Sequence, residues 1–271
     1  MTTITDVLGQ AADASARRDI ELVLGHVLQQ SRAYIFAHGE RQLSELHRLE
    51  LEALLKRLAC NEPPAYILNA REFYGLNLYV SKSVLIPRPE TELLVEYALE
   101  NASPGAAILD LGTGSGAIAV ALAAQKRYSI TASDICSKAL TVAKRNADSH
   151  DCSIQFIKSD WFEALHIEFD MILCNPPYIA ESDMIDTTVS GFEPEVALFA
   201  GEDGLDALRQ VIAQAIKHLA PGGVLAVEHG WQQAPIVTRL FLAEGYTKIR
   251  TLEDLAGLGR VTLGKLIHPH E

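Results

Sequence analysis

No stretch of this sequence stays apolar long enough to cross a membrane. The longest such run, Ala117 to Ala124, falls far short of the roughly 20 residues a bilayer-spanning helix needs. Cysteine is scarce. Cys60, Cys136, Cys152 and Cys174 stand 76, 16 and 22 residues apart, with no CxxC pair and no His/Cys cluster. That spacing argues against a structural zinc site and predicts no metal and free thiols. Basic charge is also short, with 23 Lys and Arg against 35 Asp and Glu, a net charge of −12. Residues 1–62 carry 7 basic and 9 acidic side chains, and the remainder 16 and 26, so neither part is basic. A surface that grips phosphates needs the opposite sign, so direct nucleic-acid binding is not expected. Met1 to Asp19 has no basic stretch followed by an apolar run, so no signal peptide is expected. The expectation is a cytoplasmic protein without membrane contact.

What is present is ordinary globular composition: 271 residues, 48% hydrophobic and 21% charged. The length fits one large domain, or one plus a small one. Residues 1–62 read as a helical bundle. Ile20, Val23, Leu24, Val27 and Leu28 recur at helical spacing, and Ser44 is placed to cap a helix striped by Leu46, Leu49, Leu54, Leu55 and Leu58. Asn61-Glu62-Pro63-Pro64 ends it. So small a bundle fits a substrate-recognition module better than a catalytic one. Residues 63–90 read as a linker with a β-hairpin turning at Gly75, followed by an extended Pro87-Arg88-Pro89 loop. Residues 91–271 alternate between helix and strand patterns. Strands are expected at 106–111, 129–133, 153–158, 169–174, 223–228, 246–250 and 261–266, with helices between most of them. This alternation predicts a parallel α/β sheet with helices on both faces and a ligand site at the carboxyl ends of its strands.

The chemistry-bearing motifs fall at those strand ends. Asp110-Leu111-Gly112-Thr113-Gly114-Ser115-Gly116 leaves the first strand and enters a helix. Glycines there let the backbone turn tightly and a ligand approach the main chain, next to the free N–H groups of the helix. Asp134 ends the second strand, 18 residues beyond Gly116, where a carboxylate can accept both hydroxyls of a ribose. Nicotinamide cofactors and S-adenosylmethionine both carry that ribose, so these residues do not separate them. Asp160-Trp161 follows the third strand, offering an acceptor for an adenine amino group and a ring to pack on it.

Asn175-Pro176-Pro177-Tyr178 directly follows the apolar strand Met171-Ile172-Leu173-Cys174. An amide or exocyclic amino nitrogen is a poor nucleophile because its lone pair is delocalised. Methylating it requires acceptors on both N–H groups to hold it in line with the methyl. The Asn175 oxygen supplies one, a main-chain carbonyl at Pro176 the other, and the two prolines stiffen the segment. Tyr178 offers a flat face for a planar amide or base. His229, beside Glu228, reads as an orienting residue, and Cys174 as an apolar filler.

Taken together, these residues resemble the bacterial release factor glutamine methyltransferase family, also called HemK or PrmC. The resemblance spans nearly the whole chain. It rests on Phe73-Tyr74-Gly75, the segment Ile86-Pro87-Arg88-Pro89-Glu90-Thr91-Glu92, Asp110 to Gly116, Asp160-Trp161-Phe162, Asn175 to Tyr178, Phe192-Glu193-Pro194, Glu228-His229-Gly230-Trp231, Asp254 and Arg260-Val261. Phe192 stands where many relatives have Tyr, which keeps the ring and drops a hydroxyl. The resemblance implies an α/β, Rossmann-like class I S-adenosylmethionine-dependent methyltransferase with a small N-terminal helical bundle. It implies that Gly112, Thr113, Gly114, Ser115, Gly116, Asp134, Asp160, Trp161 and Asn175 bind S-adenosylmethionine, leaving S-adenosylhomocysteine as product. It further implies that Asn175, Pro176, Pro177 and Tyr178 hold the glutamine of the Gly-Gly-Gln loop of peptide chain release factors. Arg88 and Glu193 are expected in the substrate pocket wall, with a surface salt bridge and a loop cap as their plainer readings. A monomer is expected. Three other readings stay open: a ribosomal protein glutamine methyltransferase, a DNA adenine amino-methyltransferase, and a noncatalytic S-adenosylmethionine-binding module. The second lacks the basic groove that base flipping would use, and the third has no need of an amide clamp.

Overall fold

The computed structural model describes residues 2–184 and 191–266. The chain forms two compact units; among the described residues the first holds those up to Ala70 together with 191–192, and the second Arg71–Met184 and those from Glu193 onward. The first holds helices α1 (Ile4–Leu8), α2 (Ala14–Leu28), α3 (Arg32–Ala37), α4 (Glu45–Ala59) and α5 (Pro64–Leu68). Thr3, Asp13, Ser31 and Ser44 cap the first four with side-chain oxygens, each accepting from N–H groups that the helix leaves unpaired. The expected α2 stripe is buried, against Ile4, Ile35 and Leu51. The expected α4 stripe is only half right. Leu51 is buried and Leu54, Leu55 and Leu58 pack beside it, whereas Leu46 and Leu49 are 76% and 53% exposed. At 3.6 residues per turn Leu46 and Leu49 lie across the helix from Leu51, so they cannot share its face. Glu21 is buried but paired, with Arg17 at 3.2 Å and Arg32 at 2.7 Å.

The second unit opens with a hairpin, β1 (Ala70–Phe73) and β2 (Leu76–Tyr79). Its two turn residues, Tyr74 and Gly75, have φ of +50° and +74°, as the favoured two-residue hairpin turn requires. A short 3₁₀ turn (Pro89–Thr91) leads into α6 (Glu92–Asn101). Then follow β3 (Ala107–Leu111), α7 (Ala117–Ala123), β4 (Ser129–Asp134), α8 (Ser137–Ser149), β5 (Gln155–Lys158), β6 (Phe169–Cys174), α9 (Asp206–Ala215), β7 (Leu219–Glu228), α10 (Ala234–Ala243), β8 (Thr247–Glu253) and β9 (Gly259–Lys265). The sheet order is β5-β4-β3-β6-β7-β9-β8. Side chains alternate between its faces. Ile108 and Leu173 pack with α6 and α7 through Leu94, Val95, Ile118 and Val120. Leu109 and Ile172 pack with α9 and α10 through Leu208, Ile212, Val237 and Phe241.

The sheet is not wholly parallel as expected. β9 runs antiparallel to both β7 and β8. Only residues 254–258 join β8 to β9, whereas a parallel crossover takes a dozen residues or more. The five parallel strands deliver Leu111, Asp134, Lys158, Cys174 and Glu228 to one edge. Among the described residues no helix is long and apolar enough to cross a membrane.

Candidate active site

The loop between β3 and α7 is built on positive φ: +75° at Gly112, +54° at Gly114 and +82° at Gly116, a region that costs residues with a Cβ. The N–H groups of Gly112 and Thr113 donate to the Ser133 carbonyl at 2.9 and 2.8 Å, tying the loop to the end of β4. The three glycines differ in role. A Cβ on Gly114 would meet nothing within 4 Å, whereas one on Gly116 would sit 3.0 Å from the Ala143 Cβ. Gly116 therefore permits close approach to α8, and it does not line the cavity. Asn146, buried on α8, clasps this region. Its Nδ2 donates to the carbonyls of Ser115 (2.8 Å) and Tyr79 (2.9 Å), and its Oδ1 accepts from the Tyr79 N–H (2.7 Å).

A cavity of about 370 Å³ opens at this edge of the sheet, within the range that holds small ligands. Asp110, Gly112 to Ser115, Ser133, Asp134, Asp160 and Trp161 line one side, and Arg88, Thr91, Asn175, Pro176 and Pro177 another. Asp134 Oδ2 accepts from the Gly114 N–H (2.9 Å) and Oδ1 from the Cys136 N–H (2.8 Å). Each oxygen keeps a lone pair for a further donor. Burial raises the Asp134 pKa against the pull of those two N–H groups. Asp110 is buried more deeply. Its Oδ2 accepts from Thr113 Oγ1 (2.6 Å) and the Ala119 N–H (3.0 Å), while Oδ1 has no partner. Burial pushes its carboxyl up to about 7. The Ser133 hydroxyl is likewise buried and unpartnered. A cavity wall with orphaned polar atoms is the signature of a polar ligand's seat.

On the other side, Asn175 follows β6. Its Nδ2 donates to Thr91 Oγ1 at 3.0 Å, which leaves Oδ1 as a free acceptor at the cavity wall. Pro176 and Pro177 line the cavity, and Tyr178 does not. The Tyr178 hydroxyl instead donates to Glu228 Oε1 at 3.2 Å. Glu228 is fully buried, and burial pushes its carboxyl to about 7, against the pull of the Thr91 and Tyr178 hydroxyls. Arg88 lines the cavity and pairs with Glu193 at 2.5 Å. Glu193 itself is buried outside the wall, its other oxygen accepting from the Ile86 N–H at 3.0 Å. It therefore holds the Ile86–Arg88 loop rather than facing a ligand. His229 has no exposure. Its Nδ1 donates to the Gly230 carbonyl (2.9 Å), so Nε2 accepts from Thr262 Oγ1 (2.8 Å). Burial lowers its pKa, keeping it neutral and orienting. Cys174 is fully buried, which raises its thiol pKa well above the ordinary value.

Asp110, Ser133, Thr91 and Glu228 escaped the sequence reading as site residues. Asp110 and Glu228 had a usable signal, since each is an acid inside an apolar strand. Ser133 and Thr91 had none of their own.

A seven-stranded sheet with its seventh strand antiparallel, a glycine loop after its first strand and an Asn-Pro-Pro-Tyr segment after its fourth define a class I methyltransferase. The comparisons agree. The Methyltransferase small domain matches residues 89–193, and the PrmC N-terminal domain matches residues 1–68. By structure the chain is similar to a methyltransferase from Pyrococcus furiosus (TM-score 0.55, 20% identity, 79% of this chain and 98% of that one). By sequence it is 42% identical over 265 residues to the release factor glutamine methyltransferase of Xylella fastidiosa, covering 96% of each chain. It is 43% identical over 259 residues to that of Escherichia coli K12, covering 94% of each. The chain belongs to the release factor glutamine methyltransferase family.

Proposed function

We propose that this enzyme transfers a methyl group from S-adenosylmethionine to the side-chain amide nitrogen of the glutamine in the Gly-Gly-Gln motif of peptide chain release factors. The observation that carries the chemistry is the Asn175 amide, whose nitrogen is committed to Thr91 so that its oxygen is left to accept. Family membership supplies the substrate.

The residues present fit the methyl donor. The unpaired Asp110 oxygen suits an ammonium group, and the spare lone pairs of Asp134 suit vicinal ribose hydroxyls. Trp161 offers a ring, and Asp160 an acceptor, to adenine. When bound, S-adenosylmethionine supplies a methyl on a sulfonium, an activated leaving group, and S-adenosylhomocysteine remains. The protein's part is positioning. Asn175 Oδ1 accepts one amide N–H of the glutamine and the Pro176 carbonyl the other, so the nitrogen is held in one orientation. The two prolines keep that geometry stiff. No strong base is required at the outset, because the nitrogen becomes acidic as its new bond forms, and the proton it then sheds passes to solvent. The glycines flanking the target let its loop enter a narrow site.

The pocket cannot tell one glutamine from another, so selectivity comes from contacts remote from the reacting nitrogen. The helical unit is the available surface. It leaves Leu22, Phe36, Leu46 and Leu49 exposed, and its near-neutral charge suits a protein better than a phosphate backbone. Offering labelled methyl donor together with release factor, ribosomal protein or duplex DNA tests the reading. Label is expected in the release factor. Label in ribosomal protein or DNA, with the release factor blank, would overturn it.

A further inference from the structure

The Asn175-Pro176-Pro177-Tyr178 segment has few ways to be held in place. Pro176 and Pro177 have no N–H to donate. The transfer proposed above needs the Asn175 oxygen and the Pro176 carbonyl left open to the substrate. Each proline fixes its own φ and confines the residue before it to extended backbone. The freedom that remains lies where Pro177 joins Tyr178, so the segment is fixed by its two ends. At the upstream end Cys174 is paired within the sheet to Leu111 and Val227. At the downstream end the Tyr178 hydroxyl donates to Glu228 Oε1 at 3.2 Å, and the Tyr178 carbonyl accepts from Gln233 Nε2 at 3.0 Å.

Gln233 closes the 3₁₀ turn Trp231–Gln233 that follows β7. Its Oε1 accepts from the Gly230 N–H at 2.9 Å, and its Nε2 also reaches the Gly204 carbonyl at 3.3 Å. A backbone N–H can only donate and a carbonyl can only accept, so this amide has a single orientation. Turned over, it would set NH₂ against N–H and oxygen against two carbonyls. Gly204 has a φ of +71°, and a Cβ there would lie 2.5 Å from the Tyr178 carbonyl oxygen. Its lack of a side chain lets the two backbones meet where Gln233 joins them. Beyond Tyr178 the lacing continues: the Ile179 N–H donates to the Leu198 carbonyl at 3.0 Å, and the Ala200 N–H to the Ile179 carbonyl at 2.9 Å. We infer that Gln233 is a positioning residue for the transfer: through the Tyr178 carbonyl it locks the downstream end of the Asn-Pro-Pro-Tyr segment and so keeps the Pro176 carbonyl on the glutamine N–H. Gln233 does not line the cavity, so it acts only through that segment. The inference rests on the methyl transfer proposed above.

The two halves of the Gln233 amide can be separated. Its oxygen braces its own turn at Gly230, a structural task, whereas its NH₂ group holds Tyr178. Gln233→Glu keeps an acceptor for the Gly230 N–H and loses the donor to Tyr178. The test is methyl transfer to intact release factor, read as the single-turnover rate with donor and release factor saturating, beside the KM for release factor and the donor affinity. It is run at pH 8.5, where the introduced carboxyl is ionised. Gln233→Glu is expected to transfer about 10-fold more slowly or worse, while donor affinity and the KM for release factor stay within about three-fold. A parental rate in the folded variant would overturn the inference and leave Gln233 as a brace for its own turn. So would a loss confined to KM or to donor affinity. If Gln233→Glu does not fold, Gln233→Met decides, since it keeps the length without adding charge. It is expected to be slowed to a similar degree, again in rate and not in KM, and a parental rate would overturn the inference. Failure of the unaltered enzyme to methylate release factor would overturn the proposed function, and this inference with it.

Discussion

Removing the Asp134 side chain isolates the methyl-donor half of the site. The carboxylate holds the Gly114 and Cys136 N–H groups at 2.9 and 2.8 Å and keeps one lone pair per oxygen for the ligand. Asp134→Ala deletes both ligand contacts and loosens the glycine loop at Gly114. Hydrogen bonds to a charged group contribute about 1.5–3 kcal/mol. The expected loss of S-adenosylmethionine affinity is therefore about 1.5–3 kcal/mol, or roughly 10- to 150-fold. Asp134→Asn should do no better, since its NH₂ group must face one of two backbone donors. Titration calorimetry reads the affinity, with circular dichroism to confirm folding. Unchanged affinity in a folded Asp134→Ala protein would remove Asp134 from the site. Tight binding of NAD with none of S-adenosylmethionine would refute the whole cofactor assignment.

The other expected outcomes probe packing, titration and substrate docking. Gly116→Ala forces a Cβ to 3.0 Å from Ala143 at a φ of +82°. Denaturant unfolding should show a loss of about 1–3 kcal/mol, and parental stability would contradict the close-approach role. Asp110 has a folded pKa of about 7 against an ordinary 3.8, so between those values the folded state holds a proton that the unfolded state has released. The unfolding free energy should therefore fall as pH rises from about 4 to 7, and Asp110→Asn should flatten that slope; an equally steep slope in the variant would assign it elsewhere. An ammonium group beside Asp110 favours its charged form, so methyl-donor affinity should rise with pH through about 7, and a flat profile would remove that contact. Leu46→Glu with Leu49→Glu places charge on exposed positions of α4; the KM for release factor should rise about 10-fold or more while donor affinity stays put, and an unchanged KM would free this face of a docking role.

The sheet was legible because buried parallel strands are short apolar runs bounded by turn residues, and Phe169–Cys174 forms over the same residues as expected. The reversal of β9 was legible only in loop length, a constraint that hydrophobic pattern does not contain. Leu46 and Leu49 show the same limit. Residue type marked them apolar, while the helical phase set by Leu51 put them on the outside. The site divides likewise. Glycines at positive φ and Asn-Pro-Pro-Tyr announce themselves locally, because their chemistry depends on backbone shape. Thr91 and Glu228 do not, because their roles come from residues 84 and 50 positions away. Glu193 reads as a pocket carboxylate until its partners, Ile86 and Arg88, are brought to it from more than 100 residues upstream.

The central claim, that Asn175 holds a release factor glutamine for methylation, is tested most directly by mass spectrometry of the glutamine-bearing tryptic peptide after single-turnover reaction. The unaltered enzyme is expected to add one methyl to the Gly-Gly-Gln glutamine of folded release factor. Asn175→Ala, with donor affinity within a few fold, is expected to do so roughly 100-fold more slowly. Equal transfer by the two proteins, or a methyl found on any other residue, would contradict the account.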